Sequence, residues 1–171
     1  MLADKLGKGY DKVREQAKLR TIKITLGEVA FDLKVKIPLK REMEEMTERI
    51  TSPSQEKIDA IFARLSKPIN DVIAESGEEF IAALNATKES IVIKDNDIIV
   101  DGNSVRKVAT FTAIHETRVE EYFHLLQSVT GESITESYEE IAEEFPDIAI
   151  KEIVEVIENA IKPDYTTAKK N

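Results

Sequence analysis

Cysteine and tryptophan are absent from this chain, and histidine occurs only as His115 and His124 in 171 residues. Without cysteine there is no disulfide framework, no thiolate nucleophile and no cysteine-based zinc or iron–sulfur site, a composition that suits a reducing compartment. On one continuous helix the two histidines fall on opposite sides, so they cannot share a metal. His115-Glu116 matches the start of a zinc-protease helix, but Val119 stands where the second histidine is required. A Gly-rich phosphate loop and a G-x-S-x-G turn are also missing. Asp95, Asp97 and Asp101 with Gly102 do not make a calcium loop, because Ile99 occupies a position that needs an oxygen ligand. No catalytic, cofactor-binding or metal-ligating residue is therefore expected, and the chain is read as a non-enzyme.

Glycine and proline are scarce, at 6 and 5 residues, while 42% of the chain is hydrophobic and 33% charged. This composition is neither disordered nor collagen-like, and the length allows one domain with a real core, or a core plus an appendage. No apolar run comes near the roughly 20 residues that cross a bilayer. Met1-Leu-Ala-Asp-Lys is charged from the outset, so neither a membrane span nor a signal peptide is expected, and a cytoplasmic location is.

What the chain has in excess is acid, with a net charge of -9 distributed unevenly. Residues 1–41 carry 11 Lys/Arg against 5 Asp/Glu, whereas residues 42–171 carry 13 against 28. A basic head of this kind can mean nucleic acid, but only Tyr10 and Phe31 supply aromatic rings there and the acidic remainder would repel phosphate. Nucleic acid is not expected as a partner. Complementary charge at the two ends of one chain is instead suited to self-association, and a homo-oligomer is expected.

Periodicity divides the chain. Leu2, Leu6, Tyr10, Val13 and Ala17 form a helical stripe weakened by Gly7 and Gly9, giving an amphipathic N-terminal helix over 1–19. From Thr21 the period is two: Ile22, Ile24 and Leu26, a turn at Gly27-Glu28, then Val29, Phe31, Leu33, Val35 and Ile37. One face of this hairpin is apolar and must be covered, while Lys23, Lys34 and Lys36 point to the other. A short helix follows Pro38, then a helix through Ile58, Ile61, Phe62 and Leu65 that Pro68 is expected to break. A further helical segment over 69–74 comes next, and a break at Ser76-Gly77 before Phe80, Ile81 and Leu84. Asp95-Asn96 reverses a second hairpin, and residues from Val105 to Val129 read as one long helix or two joined near Thr110–Thr112. Ser133-x-x-Glu136 is a capping-box pattern ahead of Tyr138, Ile141, Ala142 and Phe145. The last helix starts at Pro146-Asp147 and leaves only a narrow polar strip. The expected fold is α+β: an N-terminal antiparallel hairpin packed on a mostly helical core (20–130), a second small hairpin, an acidic helical C-terminal region (131–161) and a flexible tail (162–171).

The segment TIKITLGEVAFDLKVKIP passing directly into LKREMEEM, followed by an acidic and largely helical chain, resembles the tail assembly chaperones of long-tailed, lambda-like bacteriophages. The resemblance is one of layout over residues 20–130. It implies a protein of the infected host cytoplasm, absent from the finished virion, that binds the tape measure protein and keeps it soluble. Lys169-Lys170-Asn171 can be encoded by AAA AAA AAC, which contains a heptamer that promotes slippage into the minus-one frame, and families of this type make a frameshifted longer form that recruits tail tube protein. Under that resemblance Ile150, Ile153, Val154, Ile157 and Ile161 would grip a partner helix, with Lys23, Lys34 and Lys36 supporting assembly; the same isoleucines could equally fill the chain's own core. Glu144-Phe145-Pro146-Asp147 is also similar to the Phe-Pro junction of ubiquitin-binding CUE modules, although the paired leucines of a third helix are replaced by Lys162-Pro163-Asp164. An antitoxin-like or other acidic binding protein is the remaining alternative.

Overall fold

The structure is a computed structural model and describes residues 9, 18–86, 91–128 and 130–162. The amphipathic helix expected over 1–19 and the tail expected from 162 onward lie, apart from Gly9, Lys18, Leu19 and Lys162, outside them, and Leu19 opens a strand. The order of elements is β1 (Leu19–Leu26), β2 (Val29–Lys36), α1 (Lys40–Thr51), α2 (Gln55–Ala86), β3 (Ile91–Lys94), β4 (Asp97–Val100), β5 (Asn103–Ser104), α3 (Val105–Phe123), β6 (Leu126–Gln127), α4 (Tyr138–Glu144) and α5 (Asp147–Ile161). The fold is α+β, with an N-terminal antiparallel hairpin, a long helix, a second small sheet and C-terminal helices. No helix among the described residues is long and apolar enough to cross a membrane.

The chain forms two compact units, residues 1–47 with 118–171 and residues 48–117. This division differs from the boundary read near Gly131. In the first unit β1 and β2 pair in the register set by their alternation, Leu19 opposite Lys36 through Leu26 opposite Val29. The reversal needs a positive φ, which Gly27 supplies at 61°. Leu126 and Gln127 then pair with Val35 and Lys34, so a segment assigned from sequence to a long helix becomes the third strand, in the order β1-β2-β6. Gly131, at φ 89°, turns the chain so that Ser133 bridges back to Gln127 and Ile134 donates its amide to the Leu126 carbonyl at 3.2 Å. These contacts tie the approach to α4 to the sheet, and α5 lies along β1.

The capping box is present, but one turn later than expected. Ser137 Oγ accepts from the Glu140 amide at 3.3 Å and Glu140 Oε2 accepts from the Ser137 amide at 2.8 Å, whereas Ser133 bridges Gln127 and residues 134–137 after it are not helical, so it has no helix to cap. Phe145 and Pro146 are both extended, which separates α4 from α5.

In the second unit Ile61 packs against Ala109 and Ala113, with Ile58, Phe62 and Leu65 around them. Pro68 does not end α2; the helix runs past it, and the backbone departs from helical geometry at Gly77 instead, with φ 73° and ψ -179°. Pro68 lacks the amide that would pair with the Arg64 carbonyl one turn back, so the helix passes it at the loss of one ladder bond; two residues earlier the Ser66 hydroxyl donates to the Phe62 carbonyl at 2.6 Å. α3 is continuous through Thr110–Thr112: Ala109 and Ala113 are fully buried and pack its inner face, and the threonine hydroxyls donate back to the carbonyls of Arg106 and Val108, each at 3.0 Å. Sheet β3-β4-β5 adds a strand that the periodicity did not indicate, reached through Asp101-Gly102 with φ 50° and 79°, the paired positive values of a tight hairpin turn.

Candidate functional site

An open groove of about 180 Å³ lies in the first unit. Phe31 and Leu33 reach it from β2, two residues apart and so on one face of the strand. Phe123 ends α3 and Leu126 lies in β6, so the reversal that creates the third strand also brings these two side chains to the groove. Ile141 and Phe145 enter from α4 and its C-terminal cap at helical spacing, and Ile153 from α5. The rings of Phe123 and Phe145 meet edge to face with centroids 5.9 Å apart, which fixes one end of the groove. Of the Phe-Pro junction noted in the sequence, Phe145 is half-buried in the groove wall and Pro146 is exposed.

The edge is acidic. Glu136, Glu140 and Glu144, spaced by four, are all exposed and all border the apolar lining. Glu140 spends one oxygen on the capping box, and the hydrogen bonds from the Ser137 backbone and hydroxyl hold its carboxyl below the ordinary range. Glu136 Oε2 accepts from the Thr135 amide at 2.8 Å. Among the described residues, none of the three is ion-paired with lysine or arginine.

The residues assigned to partner binding from the sequence divide. Ile150, Ile153, Val154, Ile157 and Ile161 are 4%, 2%, 7%, 0% and 8% exposed, so the wide apolar face of α5 is this protein's own core. That corrects their assignment as a free gripping face: a sheet with one apolar side needs a cover, and α5 along β1 provides it. Ile153 alone of the five also borders the groove. Arg20 Nη1 donates to the Ala160 carbonyl at 2.6 Å, and Arg118 pairs with Glu158 at 2.7 Å, which fastens the C-terminal part of the same helix. Lys23 and Lys34 are exposed. Lys36 is half-buried and paired with Glu42 at 3.3 Å; Glu42 is lowered first by the Leu39 amide and further by that lysine. The basic face therefore stands apart from the isoleucines, and the structure does not bring the two sets together into one surface.

Two arrangements in the second unit escape sequence reasoning. Asp97 Oδ1 accepts from the amides of Ile98 and Arg106 at 2.8 and 2.9 Å, and its Oδ2 accepts from the Ser104 hydroxyl at 2.6 Å. Ser104 Oγ in turn accepts from the Lys107 amide at 2.9 Å, capping α3. Arg106 then joins hairpin to helix: it donates to the Asn96 carbonyl, pairs with Asp59 at 2.6 Å and lies 4.3 Å over the Phe62 ring. The acidic turns noted in the sequence are thus joints of the fold. The second arrangement is Glu116, 2% exposed, paired with Arg64 at 2.6 Å while its Oε2 has no hydrogen-bond partner among the described residues. No group of three or more metal-ligating side chains occurs among the described residues. No protein-family model, no curated protein and no solved structure matches the chain.

Proposed function

We infer that the chain is a phage tail assembly chaperone that holds the tape measure protein soluble by binding, without catalysis, and that a frameshifted longer form brings tail tube subunits to it. The observation that carries this reading is the β1–β2 hairpin running through Ile37-Pro38-Leu39 into the charged helix α1, the layout on which the resemblance rests. The apolar groove with an acidic edge supports a binding role, because it offers uncovered apolar lining to a partner while the surrounding carboxylates keep the surface soluble. Co-expression with a cognate tape measure protein tests it. The tape measure protein is expected to move from the insoluble to the soluble fraction and to co-purify with this chain; if it stays as insoluble as when expressed alone, the reading falls.

A further inference from the structure

We propose that the groove of the first unit is the partner site, and that its occupant is a basic amphipathic helix which inserts an apolar side chain between β2 and α4 and sets Lys or Arg against Glu136, Glu140 and Glu144. The assignment rests on the chaperone role and deepens it by naming which surface acts and what chemistry it selects.

Three features point to that occupant. Phe31, Leu33, Ile134 and Phe145 are only half-buried, so apolar surface lining the groove still meets water. A cavity of about 180 Å³ is of the size that takes one aromatic or large aliphatic side chain, and an apolar lining gives water few partners. The flanking carboxylates set the sign of the partner. Glu140 and Glu144 lie one helical turn apart on α4, Glu136 sits in the non-helical approach just before the Ser137 cap, and none is neutralised by a basic side chain among the described residues. A helix laid beside α4 repeats its own flank at the same pitch, so Lys or Arg at i and i+4 would face successive carboxylates. An acidic or neutral helix offers the same apolar anchor but meets like charge or none. The buried face of α5, by contrast, has no apolar surface left to offer.

The test uses the full chain and two synthetic helical peptides of about 18 residues, five turns of helix, each with a leucine stripe and one central tryptophan, flanked by lysine in one and by glutamate in the other. The protein has no tryptophan, so emission reports the peptide alone. The lysine peptide is expected to bind with a blue shift and to weaken with added salt, and the glutamate peptide to bind at least ~10-fold more weakly. Joint Glu136→Lys and Glu144→Lys, both at exposed positions, is expected to reverse that preference, and Ile134→Arg to abolish binding of the lysine peptide. Equal binding of both peptides, or a preference unchanged by the charge reversal, overturns the proposal. So does binding that emerges only when residues 1–17 are removed, which would make the chain's own N-terminal segment the occupant. Self-association abolished by the charge reversal would make it a second copy, and also overturns it. Co-expression separates the two levels. If wild type and charge-reversed chain solubilise the tape measure protein equally, the groove is wrong and the chaperone role stands. If peptide selectivity holds while the tape measure protein stays insoluble, the groove stands and the chaperone role falls.

Discussion

Glu116 and Arg64 form an ion pair of unequal partners: the carboxylate is buried, the guanidinium side chain 51% exposed. Removing the arginine strands a desolvated charge, whereas removing the glutamate leaves a cation that water can reach. Arg64→Ala is therefore expected to cost about 2 kcal/mol and Glu116→Met to stay within about 1 kcal/mol of wild type, read from urea unfolding midpoints. Equal losses would mean that the orphaned Oε2 is not the decisive feature. The same scale separates two isoleucines of α5. Ile157 is fully buried and Ile148 is 70% exposed. Ile157→Ala should lose about 2–5 kcal/mol and Ile148→Ala no more than about 0.5 kcal/mol by the same measurement. Hydrophobicity alone ranks these two alike, and only helical phase and what lies opposite tell them apart.

At the scale of elements, identical short patterns compete and the surroundings choose. Ser133-x-x-Glu136 and Ser137-x-x-Glu140 have the same capping chemistry, and the first is unused because residues 134–137 stay outside any helix after Ser133 bridges Gln127. Ser137→Ala should lower stability by about 1 kcal/mol, about 2–4 °C in a thermal melt, while Ser133→Ala leaves the melt unchanged. The hairpin β1–β2 was legible in its faces and its turn because alternation specifies both face and register, although β1 begins at Leu19, ahead of the alternation that starts at Thr21. The second hairpin was legible from its turn. α2 was legible in part: the break read at Ser76-Gly77 is where the backbone bends, but Pro68, the stronger breaker by propensity, has helix on both sides of it. β6 was hidden for a related reason: two residues have no period, and Leu126 reads equally as helix or strand until β2 offers it an edge.

The whole molecule should lose stability in acid. Hydrogen bonds hold several carboxyls below their ordinary values of 4.5 for Glu and 3.8 for Asp: Glu42 through the Leu39 amide, Asp59 through Arg106, Asp97 through Ser104 and Glu140 through the Ser137 amide. A depressed folded-state value stabilises above the unfolded one, and that contribution disappears as pH falls through the folded value. Stability is expected to be flat from pH 7 to about 5.5 and to decline below about 4.5, and Asp97→Asn should make the decline shallower. Urea titrations followed by circular dichroism across this range check it; a decline that begins near neutrality would point away from these carboxyls. The candidate site belongs to this scale as well. Its lining comes from β2, the end of α3, β6, the approach to α4, α4 and α5, positions as far apart as Phe31 and Ile153, so no local pattern could announce it.

By itself the sequence determined the α+β class, the charge polarity, the N-terminal hairpin with its register and the amphipathic character of the last helix, because each depends on spacing or composition within a few residues. Tertiary structure decided the rest: that α5 spends its isoleucines on β1, that the chain divides at 47/48 and 117/118 rather than near 131, and that the open apolar lining lies beside Glu136, Glu140 and Glu144. An apolar face must be covered, and sequence states that need; which surface meets it is settled by packing between distant segments, and so is which surface is left over for a partner.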